Sequence, residues 1–226
     1  MIQQLLAVLP PMLLGAQLIL TLILVKGDIC PGQRGRIHKM LPTVAILWLA
    51  VASLRIEAMM VVFAIGYFYS QVQTKKTRIQ GPLWVMYLAN GLALSYVAIM
   101  MMEQASIAAG LSVLVAISLL GALFAHLLLT IARTRLDAFH RILPVAGVVS
   151  AMLMSGAILL QAYGLDSHTL NVVTEPLIIG FALMIASVII WSWHLLSSKP
   201  VNKLQLGFAL ALMLLALSSN QALFLL

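Results

Sequence analysis

Polar side chains interrupt this chain rarely and in clusters, and the clusters cut it into apolar segments of about the length that crosses a bilayer. The first segment covers residues 4–25, with Pro10 and Pro11 near one end, and a Gly-rich basic turn follows at residues 26–39. Residues 41–72 are then apolar except for Arg55 and Glu57 in their middle. As one helix this stretch would be about 48 Å long, far beyond a hydrocarbon core of about 30 Å, and would carry two charges at mid-depth. Two short helices turning at residues 54–57 are therefore predicted. Further segments lie at residues 82–102, 107–132, 144–164, 176–196 and 204–226, separated by turns at 103–106 and 133–143, a loop at 166–175 and a turn at 197–203. Proline at positions 144 and 176 is read as marking helix starts, where its missing N–H costs nothing. The pattern predicts an all-α polytopic membrane protein of about eight transmembrane helices.

Two of the segments repeat. Leu13-Leu14-Gly15-Ala16 recurs as Leu119-Leu120-Gly121-Ala122, and His38-Lys39-Met40-Leu41-Pro42 recurs as His140-Arg141-Ile142-Leu143-Pro144. Leu-Ala-Leu-Ser stands at both 92–95 and 215–218. Self-similarity of this kind implies a duplicated architecture. The expectation is one integral membrane domain over residues 1–226, with halves at about 1–104 and 105–226. An even number of crossings per half makes the two four-helix repeats parallel.

Composition sharpens this reading. Hydrophobic residues make up 63% of the chain and charged residues 8%, against about 25% charged in a soluble globule. The net charge of +7 is spread over short loops, with no basic and aromatic interleaving on a soluble domain, so no nucleic-acid partner is expected. Placing the predicted turns alternately gathers every Lys and Arg except Arg55 on one side, Lys75, Lys76, Arg78, Arg135 and Lys199 among them. By the positive-inside rule that side is cytoplasmic, which predicts a bacterial inner-membrane protein with both termini periplasmic. The first segment lacks a basic leader and is too long for a signal core, so it is read as a retained helix. Cys30, the single cysteine, can form no intramolecular disulfide.

Candidate chemistry is sparse. His38 and His140 occupy matching places in the two basic turns and, with Lys39 and Arg141, suit a lipid headgroup phosphate. His126 and His194 fall inside apolar segments near their cytoplasmic ends, and an ionisable group there is a functional candidate by default. Imidazole titrates near neutrality, so these two are the candidate catalytic proton carriers. Ligation of haem or a metal would use the same nitrogens, but two such histidines without a repeated pattern favour the proton role, and no cofactor is expected. Ser70, Gln71 and Ser187 lie at similar depth and are candidates to orient water or substrate. Gln17, Asn90 and the remaining span serines read as polar ties between helices. No nucleotide-binding loop, His-Glu-x-x-His or Gly-x-Ser-x-Gly motif occurs.

The order of features resembles the YhhN family of small eight-helix membrane proteins, whose characterised members are lysoplasmalogenases. The marks are the Lys39 to Pro42 helix entry, the short second and third helices, Thr134-Arg135-Leu136-Asp137 before the sixth, and residues 180–187 followed by Trp191 in the seventh. The resemblance implies the fold and hydrolysis of the vinyl ether bond of a lysoplasmalogen-type lysophospholipid. It also implies acidic residues late in the third helix and in the seventh, where this chain has Ser70-Gln71 and Ser187-Val188. A divergent hydrolase using His126 or His194 is thus expected. A non-catalytic lipid-binding or assembly protein and a small transporter are the alternatives.

Overall fold

The computed structural model describes residues 2–74, 81–134, 136–197 and 200–224. Among these the chain is helical throughout, in the order α1 (Ile2–Lys26), α2 (Pro31–His38), α3 (Leu41–Ala52), α4 (Met59–Thr74), α5 (Leu83–Met102), α6 (Ile107–Ile131), α7 (Asp137–Tyr163), α8 (Ser167–Ser197) and α9 (Lys203–Phe224). Six of them, α1 and α5 to α9, are long and apolar enough to cross a membrane. α3 and α4, at 12 and 16 residues, are shorter.

The interruption expected within residues 41–72 is present. α3 ends at Ala52, a turn carries Ser53 to Arg55, and a 3-10 turn (Ile56–Ala58) leads into α4. α3 and α4 pack against each other, and the turn between them holds Arg55 against Glu103, which follows α5. Two ends of the molecule are fixed by such ties. Arg55, Glu57, Glu103 and the Ser106–Gln161 hydrogen bond mark one, the acidic end. Lys26, Arg34, Arg36, Lys39, Arg141 and Lys203 lie at the other, where Arg36 donates to the Arg133 carbonyl at 2.7 Å. Lys75, Lys76, Arg78, Arg135 and Lys199, expected on the basic side, lie outside the described residues.

Two expected helix starts move upstream. α7 begins at Asp137 and α8 at Ser167, so Pro144 and Pro176 are interior to their helices. For α8 the cause is a cap: Asp166 accepts from the backbone N–H groups of His168 and Thr169 and from the Thr169 hydroxyl. Most of the loop expected at residues 166–175 is therefore helix. Proline is tolerated inside such helices when another group takes up the carbonyl it frees.

α1 and α6 form the centre. Gly15 and Gly121 meet where they cross, and a Cβ on Gly15 would collide with the Ile117 carbonyl. Without side chains at the crossing the two backbones approach closely, which in lipid supplies the dispersion contacts that hold helices together. A polar knot ties the surrounding helices to α1: Gln17 donates to Asn90 at 2.9 Å and accepts from the Trp48 indole at 3.1 Å, joining α1, α3 and α5. On the other side of the centre, α6 packs on α7, and α8 packs on both α7 and α9.

Candidate functional site

Three histidines converge at the basic end. His126 on α6 is fully buried, and its Nδ1 accepts from the Trp191 indole N–H at 2.9 Å. Its Nε2 lies 2.9 Å from Nδ1 of His140 on α7. His140 Nε2 faces the Thr134 carbonyl at 3.4 Å. An indole nitrogen only donates, so the directions of this chain are set from one end. His126 must carry its proton on Nε2, His140 must accept at Nδ1, and the remaining His140 proton points to Thr134.

His194, on α8 and 8% exposed, closes the cluster differently. Its Nε2 lies 3.0 Å from the His140 carbonyl and its Nδ1 2.9 Å from the Trp191 carbonyl. The first acceptor exists because of Pro144: that residue has no N–H to give to the carbonyl four positions back, which is His140. Both ring nitrogens thus face carbonyl oxygens. A neutral imidazole has one N–H and satisfies one of them, and only the imidazolium satisfies both.

Local sequence positions each member. Trp191 and His194 are three apart on α8 and so share a face. Gly147 on α7 lets the Trp191 ring in, since a Cβ there would overlap the indole. α6 closes at Arg133, whose φ of 51° is left-handed, and Thr134 N–H bonds back to the Leu129 carbonyl at 3.2 Å. That turn aims the Thr134 carbonyl at His140. Just beyond it, a groove of about 450 Å³ is lined by Thr130, Arg133, Pro200, Asn202 and Lys203. Thr130 lies one turn from His126 and donates to its carbonyl at 2.8 Å.

The other expected site residues are dispersed. Ser187 is buried and donates to the Ala209 carbonyl at 2.7 Å, tying α8 to α9. Ser70 donates to the Tyr67 carbonyl and, with Gln71, lies on α4, whose main neighbours are α3 and α5. Lys39 and Arg141 are exposed. His38, the counterpart of His140, is buried edge-on against Phe68 at 5.5 Å between ring centroids. Among the described residues neither of its ring nitrogens has a partner. Burial, and then the nearby Arg34 charge, push its pKa down to about 4. Among the described residues no cluster of His, Cys, Asp or Glu has the geometry to hold a metal.

Sequence reasoning missed Trp191, Gly147 and Pro144 as parts of the site. The i, i+3 spacing of Trp191 and His194 and the i, i+4 spacing of His140 and Pro144 were the available signals.

A family model described as an integral membrane domain matches residues 2–220. A protein from Haemophilus influenzae, described as uncharacterized, is 34% identical over 146 residues, which is 60% of this chain and 54% of the relative. The chain thus spans about half the length of that curated relative. No solved structure matches.

Proposed function

The chain belongs to this integral membrane family, and on that premise we propose that it handles a phosphate-bearing single-chain lipid at its basic end, with His194 holding the proton. The observation that carries the reading is the groove bearing Arg133 and Lys203, joined to the histidine cluster through Thr130, which donates to the His126 carbonyl. Two cations there suit a headgroup phosphate. The Trp191–His126–His140 chain is saturated and fixed in direction, so His194 is the member with room for a second proton. In the reaction that the YhhN resemblance implies, His194 gives a proton to the alkenyl carbon of the vinyl ether. Water adds to the resulting oxocarbenium ion, losing a proton, and the hemiacetal collapses to an aldehyde and the glycerol hydroxyl.

Aldehyde release from lysoplasmalogen, assayed with wild type, His194→Ala and Arg133→Ala/Lys203→Ala, tests this. A loss of about 10²-fold in His194→Ala is expected, in the range for one acid-base group. Wild type that binds the lipid without releasing aldehyde would leave the non-catalytic lipid-binding reading, which the saturated His126 chain favours.

The proposed topology is eight crossings as two parallel four-helix units, basic end in the cytoplasm. The meeting of Gly15 with Gly121 supports it, because matching residues of two repeats touch where a two-fold axis passes between them. So do the neighbours: α3–α4 and α4–α5 packing in one half is matched by α7–α8 and α8–α9 in the other, and α1–α5 by α6–α9. Impermeant labelling of cysteines placed at Lys39 and Glu57 in whole cells should modify only the second.

A further inference from the structure

The acidic end holds a second cavity, of about 500 Å³, enclosed by α1, α5, α6, α9 and the α3–α4 turn. Its mouth carries the Arg55–Glu103 pair, which is bidentate, together with Tyr96, Gln104 and Gln4. Deeper walls are apolar: Ala7, Met100, Val113 and Phe224. These same residues with Ser112 also wall a narrower space of about 40 Å³ that reaches Asn220 on α9. Asn220 is 1% exposed, and among the described residues neither its amide nitrogen nor its oxygen has a hydrogen-bond partner. Its carboxamide lies over Gly180, where any Cβ would strike it.

A buried carboxamide left without partners costs about 1–3 kcal/mol per unmet group, and such a group in a native fold calls for an explanation. Here it borders a space that shares walls with the outer cavity and, through it, with a polar mouth. We propose that this cavity binds a short, uncharged, bipolar amphiphile, with an amide or hydroxyl group at each end and an apolar segment between. Each part follows from one region. Asn220 offers both a donor and an acceptor, so the inner end of the ligand must do the same. The walls between are apolar apart from Ser112, whose hydroxyl already donates to the Ala109 carbonyl, and they suit hydrocarbon. At the mouth the two charges neutralise each other, leaving amide, phenol and carboxamide chemistry for an uncharged outer end. The site is separate from the histidines, which lie at the opposite end of α6.

Octanediamide is a suitable probe, with octanedioate as its charged counterpart of equal length, in equilibrium dialysis against the full chain in detergent. Saturable binding of one octanediamide per chain is expected, at least tenfold weaker in Asn220→Leu, and at least tenfold weaker for octanedioate with wild type. Asn220→Leu should itself melt at higher temperature than unliganded wild type, since it removes unmet polar groups, and this shows that the variant is folded. No saturable binding by wild type, meaning that water alone serves Asn220, overturns the proposal. So does equal affinity of Asn220→Leu for octanediamide, or equal affinity of wild type for octanedioate.

Discussion

His38-Lys39-Met40-Leu41-Pro42 and His140-Arg141-Ile142-Leu143-Pro144 are nearly the same five residues, and the molecule uses them in different ways. Before the first stands a segment with Gly32 and Gly35, α2 stops at His38, and Pro42 falls in the opening turn of a new helix. Before the second stands Asp137 in a first turn without glycine, and α7 runs through Pro144 without stopping. Only in the second case does the proline leave a helical carbonyl for another helix to use. The histidines diverge accordingly. His38 meets the edge of Phe68 and, among the described residues, has no hydrogen-bond partner, whereas His140 joins His126 and presents its carbonyl to His194. A duplicated motif therefore does not carry a duplicated role. What stands upstream of it and across from it decides.

Substitution by leucine, which is close to histidine in volume, should act with opposite sign at the two places. His140→Leu leaves the His126 Nε2 proton without an acceptor and removes one link between α6 and α7. A loss of about 2–3 kcal/mol is expected, read from unfolding in mixed micelles. An unchanged midpoint would mean that the cluster contributes nothing to holding the helices. His38→Leu removes two unmet nitrogens and should gain about 1–2 kcal/mol in the same assay; a loss would show that His38 has a partner in the membrane.

The smallest effect is in pH. His38 has its folded pKa depressed to about 4 from 6.5, so the unfolded chain takes up a proton over a range where the folded chain does not. Stability should thus be full above pH 6.5 and fall as pH drops towards 4, by at most about 1.4 kcal/mol per pH unit from this group. The groups facing it are Arg34 from α2 and Phe68 from α4. His38→Leu should flatten the slope between pH 6.5 and 4, and an equal slope in the variant would assign it to other groups.

The helix break near Arg55 was legible because two charges cannot sit at mid-depth in a stretch about one and a half times too long for one span. The shared depth of His126 and His194 was legible, as both lie late in spans that end on the basic side, but their meeting was not. Depth says nothing of rotation about a helix axis. For that reason Ser70 and Gln71, equally deep, fall on a helix that packs elsewhere. Trp191 and Gly147 required knowing which face of α8 meets α7, and chains apolar all round carry no periodic stripe to reveal it. The starts of α7 and α8 were misplaced for a related reason: proline is favoured in a first turn, but it is also stable inside a membrane helix whose freed carbonyl finds a donor.

The unequal hairpins have one more consequence. α3 and α4 rise about 18 and 24 Å, while α7 and α8 rise about 40 and 46 Å. Both flanks show apolar side chains outward, Ile46 and Phe63 on the low one, Ile178 and Ile185 on the tall one. On the proposed eight crossings, a body with a low wall on one flank and a tall wall on the other would lean in a film of even depth until each wall is wetted by hydrocarbon. The lean, rather than the fold, is then what a thicker or thinner membrane would alter.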